Sequence, residues 1–209
     1  MAEFEQLLAE RCGFPYCLAT SNATTALLAT VLSGGLEGRT IVADPSAWVG
    51  SLGTLELARV EIQIESLNTF PEATSFDSER ISAVLASDEP GSRHDCSLAR
   101  SFCERAGCLY IEDSDRLPGI SVSEHDKSQA DVQILSFGPG KPLALGEGGA
   151  MLTRDVDMFE RAMKICQHPE RLDRFGVLKS RRPLLNGRIH PLAALIGACI
   201  LKGVVPLSP

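Results

Sequence analysis

The chain has 209 residues, 44% of them hydrophobic and 22% charged, with 20 lysines and arginines against 27 aspartates and glutamates for a net charge of −7. That is the balance of a globular domain with one sizeable core, and the arginines are scattered rather than gathered into a stripe, which excludes a nucleic-acid footprint. The seven cysteines lack CxxC spacing and are odd in number, so they read as reduced thiols in the cytoplasm rather than as a zinc site or a disulfide framework. No signal peptide precedes them, and no apolar run approaches the roughly 20 residues that span a bilayer.

In chain order, FEQLLAERCG puts Phe4, Leu7 and Leu8 on one helical face and stops at Gly13. YCLATSN reads as a short buried strand running into a turn, TTALLATVLSGG as a helix ended by glycines, TIVADP as a strand and SLGTLELARV as a helix. VEIQIE alternates as a strand should, with Val60, Ile62 and Ile64 on one face. After a polar stretch at 68–80, SAVLAS predicts a strand, CSLARSFCERAG an amphipathic helix, and CLYIED a strand ending in carboxylates. VQILSF and GGAMLT supply two more strands, and MFERAMKICQ and HPLAALIGACIL two closing helices. Strands alternating with helices imply an α/β domain whose largely parallel sheet is covered on both faces, and the lack of a repeat or linker makes residues 1–209 a single domain.

In such a sheet, ligands bind beyond the carboxyl ends of the strands, so the candidate segments are 21–24, 44–48, 112–115 and 136–141. Gly138, Gly140 and Lys141 invite comparison with a phosphate-binding Walker loop, but Leu135 and Pro142 stand where that loop needs glycine and Ser or Thr. No GxGxxG joins a first strand to a first helix. Gly146, Gly148 and Gly149 read as a bend leading into a strand, and RRPLLNGR, from Arg181, as a solvated loop.

What remains is an amine, a carboxylate, an indole and a hydroxyl cluster at one edge of the sheet. A lysine in an apolar, glycine-rich setting has its ammonium form disfavoured, and the neutral amine can form a Schiff base. Pyridoxal phosphate needs such a lysine, here Lys141, and an acid to keep its ring nitrogen protonated, for which Asp113 qualifies. It also needs phosphate donors at a helix start, which SNATTAL offers, and Trp48 follows a strand where it can stack on a ring. Each residue alone has a bland reading as solvated lysine, strand-ending acid, helix cap or core indole.

Their order along the chain resembles the DegT/DnrJ/StrS-type family of pyridoxal-phosphate-dependent sugar aminotransferases. The likeness lies in Phe4 and Glu5, SNATTAL, IVADPSAW, YIEDSDRLPG, SFGPGK with GEGGAMLT, and LLNGRIHPLAALIGACIL, which match the family's SxxTxAL, ED, SFxxxK, GEGG and NxR elements in sequence. The resemblance implies a three-layer sandwich, the aspartate-aminotransferase-like (fold type I) large domain, without the family's N-terminal segment and small C-terminal domain. It makes Lys141 the cofactor-bearing lysine and proton shuttle and pairs Asp113 with the pyridine nitrogen. The amide of Ala23, Thr24 and Ser136 would hold the phosphate, and Trp48 would stack on the ring. Asn186 would reach the phosphate of a neighbouring subunit, implying a homodimer or a partner chain that completes the cleft.

The implied reaction moves an amino group from an amino acid such as glutamate to a nucleotide-linked keto sugar. A dehydratase branch carries histidine in place of the lysine, so Lys141 points away from it. Arg116 departs from the small amide or imidazole that the family places three residues after the acid, and its charge either alters the pocket or points away. The shorter length leaves a second expectation, a non-catalytic homologue that serves as a binding or assembly module. It also predicts an exposed apolar surface where the small domain would pack.

Overall fold

A computed structural model describes residues 1–67, 80–88, 96–167, 171 and 185–206. The polar stretch at 68–79 and residues 181–184 of the basic run lie outside the described residues. Helix α1 (Ala2–Cys12) leads into β1 (Tyr16–Thr20), α2 (Ala23–Ser33), β2 (Thr40–Ala43), α3 (Val49–Leu57) and β3 (Glu61–Ile64). Then come β4 (Ile81–Asp88), α4 (Cys96–Ala106), β5 (Leu109–Ser114), β6 (Val132–Ser136), β7 (Gly149–Thr153), α5 (Val156–Cys166) and α6 (Pro191–Leu201).

The seven strands form one sheet in the order β1-β7-β6-β5-β4-β2-β3. Strands β3, β2, β4, β5 and β6 pair in parallel, and β7 runs antiparallel to both its neighbours, β1 and β6. Since β1 and β6 both oppose β7, they share a direction, and every strand but β7 ends at the same edge. The start of β7 lies at that edge too.

Alternation along the strands builds two cores. Leu18, Ile41, Leu85, Ile111, Ile134 and Met151 face α2, α3 and α5. Their neighbours in sequence face the other way: Cys17, Ala19, Leu135 and Leu152 pack against α1 and α6, and Val42, Val84 and Tyr110 against α4. This is the three-layer, mostly parallel architecture expected from the sequence.

Local signals account for the element ends. Helix α1 stops where Gly13 adopts φ 75°, a left-handed conformation that glycine takes without strain. Asn22 caps α2, Asp155 caps α5 by accepting from the amides of Asp157 and Met158, and α6 begins with proline at its first position. Two sequence elements named for the resemblance brace the sheet: the Phe4 ring meets Phe137 edge-on with centroids 5.5 Å apart, and Glu5 accepts from the Ala19 amide at 2.8 Å.

The strand read from VEIQIE lies at the sheet's margin. Val60 is buried, but Ile64 is 47% exposed, because β3 is the edge strand and pairs with β2 alone among the described residues. Helix α6 also leaves Leu192, Leu195 and Ile196 exposed.

Candidate active site

The strand ends and the start of α2 enclose a cleft of about 580 Å³. Six of the residues singled out in the sequence line it together: Ala23, Thr24, Trp48, Asp113, Ser136 and Lys141. They come from α2, the β2–α3 turn, β5, β6 and the following loop, which the parallel topology alone brings to one edge.

The start of α2 has the features that suit an anion. The first amides of a helix have no acceptor within it, and the helix dipole places positive charge there. Asn22 Oδ1 takes the Thr25 amide at 2.8 Å and the Thr24 hydroxyl at 2.7 Å. Gly149 lets β7 press against this turn, since a Cβ there would overlap the backbone of Asn22 and Ala23. The glycine bend is thus a packing device: Gly148, at φ 134°, sits against Ile189 and Phe137.

Lys141 lies in a tight turn in which its amide donates to the Gly138 carbonyl at 3.2 Å. Its surroundings differ from the apolar setting expected. The side chain is 39% exposed, and Nζ donates to Asp115 Oδ2 at 2.6 Å, so a carboxylate faces the amine.

The acid pair divides. Glu112 turns towards α4, accepting from the Tyr110 hydroxyl at 3.1 Å and the Ser128 hydroxyl at 2.5 Å. Asp113 turns to the opposite face and the cleft, and its Oδ2 accepts from Ser51 in the first turn of α3. Burial pushes the Asp113 carboxyl above its ordinary value, the Ser51 hydrogen bond opposes that rise, and the charge of Asp115 adds to it while that of Lys141 counters it.

Trp48 is 60% exposed and stands on the cleft wall. Gly50 leaves room for it, since a Cβ there would overlap the indole. Arg116 stays out of the cleft: its guanidinium pairs with Asp126, and its carbonyl accepts from Gln133 Nε2 at 3.0 Å. Asn186 is not in the cleft either. It lines a neighbouring cavity of about 1150 Å³ with Arg188 and His190, which meets the cleft at Asn22 and Glu147.

Ser51 and Ser87 escaped the sequence reading, and Asp115 was read only as the end of the candidate segment 112–115, with no role of its own. Asp115 follows Asp113 by two positions, the spacing that returns a strand to the same face. Ser51 follows Trp48 by three, one helical turn. Ser87 is the partner of Asp113 in the β4–β5 register, so both side chains lie on one face. It lines the cleft at 6% exposure, and its hydroxyl has no hydrogen-bond partner among the described residues.

These features fit pyridoxal phosphate. An amine stands within reach of an acid, an indole forms a wall, a helix start suits a phosphate, and the orphaned Ser87 hydroxyl awaits a polar group. Among the described residues no cluster of His, Cys, Asp and Glu suits a metal ion, and no helix is long and apolar enough to cross a membrane.

The fold is that of the large domain of fold-type I aminotransferases: solved structures titled as aminotransferases share it at TM-scores from 0.72 to 0.80, and GDP-4-keto-6-deoxymannose-3-dehydratase shares it at 0.81 with 17% identity. The model of the DegT/DnrJ/EryC1/StrS aminotransferase family matches residues 1–206, and the chain belongs to that family. It is 22% identical over 188 residues to the UDP-4-amino-4,6-dideoxy-N-acetyl-beta-L-altrosamine transaminase of Campylobacter jejuni, covering 86% of this chain and 48% of that one. It is 27% identical over 214 residues to GDP-perosamine synthase of Vibrio cholerae, covering 96% and 56%. NtdA from Bacillus subtilis, solved with bound cofactor PMP, matches with a TM-score of 0.77 at 22% identity, over 96% of this chain and 47% of that one. The chain spans about half the length of the curated relatives it matches.

Proposed function

We propose that this chain is the cofactor-binding large domain of a pyridoxal-phosphate-dependent aminotransferase. The reaction is transfer of an amino group from an amino acid such as glutamate to a nucleotide-linked keto sugar. The observation that carries the reading is the convergence on one cleft of Lys141, Asp113, Trp48 and the α2 start. The names of the Campylobacter and Vibrio relatives support the nucleotide-sugar class.

The cofactor, when bound, supplies a conjugated ring that takes up the electron pair left when the donor's α-carbon loses its proton. The residues supply the rest. Lys141 would hold the cofactor through its amine, and its Nζ would move the proton, taking it from the donor's α-carbon and delivering one to the carbon being aminated. Asp113 holds the ring nitrogen protonated. The Ala23 amide, the Thr24 hydroxyl once turned from Asn22 Oδ1, and Ser136 would bind the phosphate, and Trp48 would cover one face of the ring. Asp115 holds the lysine amine while it is not engaged. Lysine rather than histidine at position 141 favours transamination over dehydration. Asn186 and Arg188, in the adjoining cavity, suit a second copy or partner chain that completes the cleft.

The test is an absorption spectrum of the protein with pyridoxal phosphate, before and after borohydride, beside Lys141→Ala. A visible band that borohydride abolishes, absent from the variant, is the expected result and opens a screen of amino donors. Lack of the band in both proteins would remove the chemistry and leave the fold.

A further inference from the structure

We infer that Ser51 is a positioning residue for Asp113: its hydroxyl holds the carboxylate as an oriented anion, so that the remaining oxygen meets the cofactor's ring nitrogen. The inference rests on the role of Asp113 given above.

A serine inside a helix ordinarily spends its proton locally, on a carbonyl three or four residues back. Other hydroxyls of this chain do so: Thr54 donates to the Gly50 carbonyl at 2.7 Å, Thr30 to Ala26 at 2.9 Å and Ser33 to Thr30 at 3.3 Å. Ser51 does not. It leaves its own helix and donates to Oδ2 of Asp113, 62 positions along the chain.

Ser51 is 2% exposed, so water does not compete for the proton. A hydroxyl has one proton to give, and giving it to a carboxylate oxygen favours the ionised form of that acid. With Oδ2 engaged, Oδ1 has no hydrogen-bond partner among the described residues and is the oxygen free for the cleft.

The anion needs this help. Burial opposes ionisation of Asp113, and the charged groups facing it are of both signs, Asp115 beyond its own strand and Lys141 from the loop after β6. Lys141 is already matched by Asp115 at 2.6 Å, which leaves Ser51 as the donor dedicated to Asp113. The placement follows from the start of α3: Trp48 caps it, and Ser51, whose amide donates to the Trp48 carbonyl at 2.9 Å, stands one turn on. The same turn therefore sets the ring's wall and the acid at its nitrogen.

Two readouts test this. In cofactor-free protein labelled with 13C at aspartate carboxyls, the Asp113 signal is titrated in wild type, Ser51→Ala, Ser51→Thr and Ser51→Cys. The expected result is that Asp113 ionises at higher pH in the Ala and Cys variants, and that Thr restores the wild-type curve. In protein loaded with ring-15N pyridoxal phosphate, the ring nitrogen is expected to lose its proton at lower pH in Ser51→Ala, with cofactor retention about tenfold weaker. Coincident carboxyl titrations for wild type and Ser51→Ala would overturn the inference whether or not cofactor binds. Failure of the wild type to form the borohydride-sensitive band, with the titrations still separated, would instead count against the cofactor assignment. Should Ser51→Ala not fold, the Thr and Cys pair decides, since only one of them keeps a strong donor.

Discussion

Glu112 and Asp113 are adjacent in β5, yet they belong to different regions of the molecule. The Glu112 face packs under α4, where the carboxylate accepts hydrogen bonds from the Tyr110 and Ser128 hydroxyls and the residue is 5% exposed. The Asp113 face opens on the cleft with one donor, Ser51, and a lysine–aspartate pair nearby. A buried acid whose oxygens are both supplied with donors from the protein contributes to stability, while one left with a spare oxygen at a cavity is available to a ligand. A two-residue acidic motif is therefore two devices, separated by the pleat of the strand.

The comparison is tested most severely by Glu112→Ala. It removes the acceptor that the buried Tyr110 hydroxyl and the half-buried Ser128 hydroxyl share, which should lower unfolding free energy by about 1–3 kcal/mol. Denaturant titration measures this, and any protein that remains folded should still bind the cofactor. Lost cofactor binding with unchanged stability would mean that the two faces have been assigned the wrong way round.

Asp113→Asn should do the opposite. Removing a charge-assisted hydrogen bond to the ring nitrogen should weaken cofactor binding by about 10–100-fold, read by equilibrium dialysis, with stability preserved or improved. Its pH dependence has a definite sign. Burial raises the Asp113 carboxyl above its ordinary 3.8, so the folded protein keeps that proton to higher pH than the unfolded chain does. The stability this contributes is fully present below 3.8 and is lost as pH rises through the raised value. Stability measured across that window should fall more steeply with pH in the wild type than in Asp113→Asn. Equal slopes would mean that the acid is ionised at no cost.

Most of the fold was legible because each strand is a short apolar run closed by glycine, proline or polar residues, and each helix carries its period. Edge position was not: alternation in 60–64 is the same whether or not a second face is covered, and Ile64 is exposed because β3 has a partner on one side only. In the site, Lys141, Asp113, Thr24 and Trp48 could be read from strand ends and from the order of short motifs. Ser51 could not, because its default in a helix is a local bond and its acceptor lies on another strand. The direction of Arg116 depends on Asp126, ten positions on, which no local pattern encodes. Ser87 was hidden for a further reason, since its significance is the register that sets it beside Asp113.

The finest test separates the cleft wall from the helix that carries it. Gly50 has no left-handed φ to protect, and alanine is the better helix former by up to about 1 kcal/mol, less in a first turn. Backbone considerations alone therefore favour Gly50→Ala. The obstacle is the Trp48 ring, which a Cβ at position 50 would overlap. Because that ring is 60% exposed, it can swing aside without opening the core. Thermal stability should then stay within about 0.5 kcal/mol of wild type, while the loss of stacking weakens cofactor binding by about 3–10-fold. Quenching of the single tryptophan on cofactor addition reports both the affinity and the ring's displacement. Unchanged quenching with lowered stability would place the indole in the packing of α3 and take it out of the site.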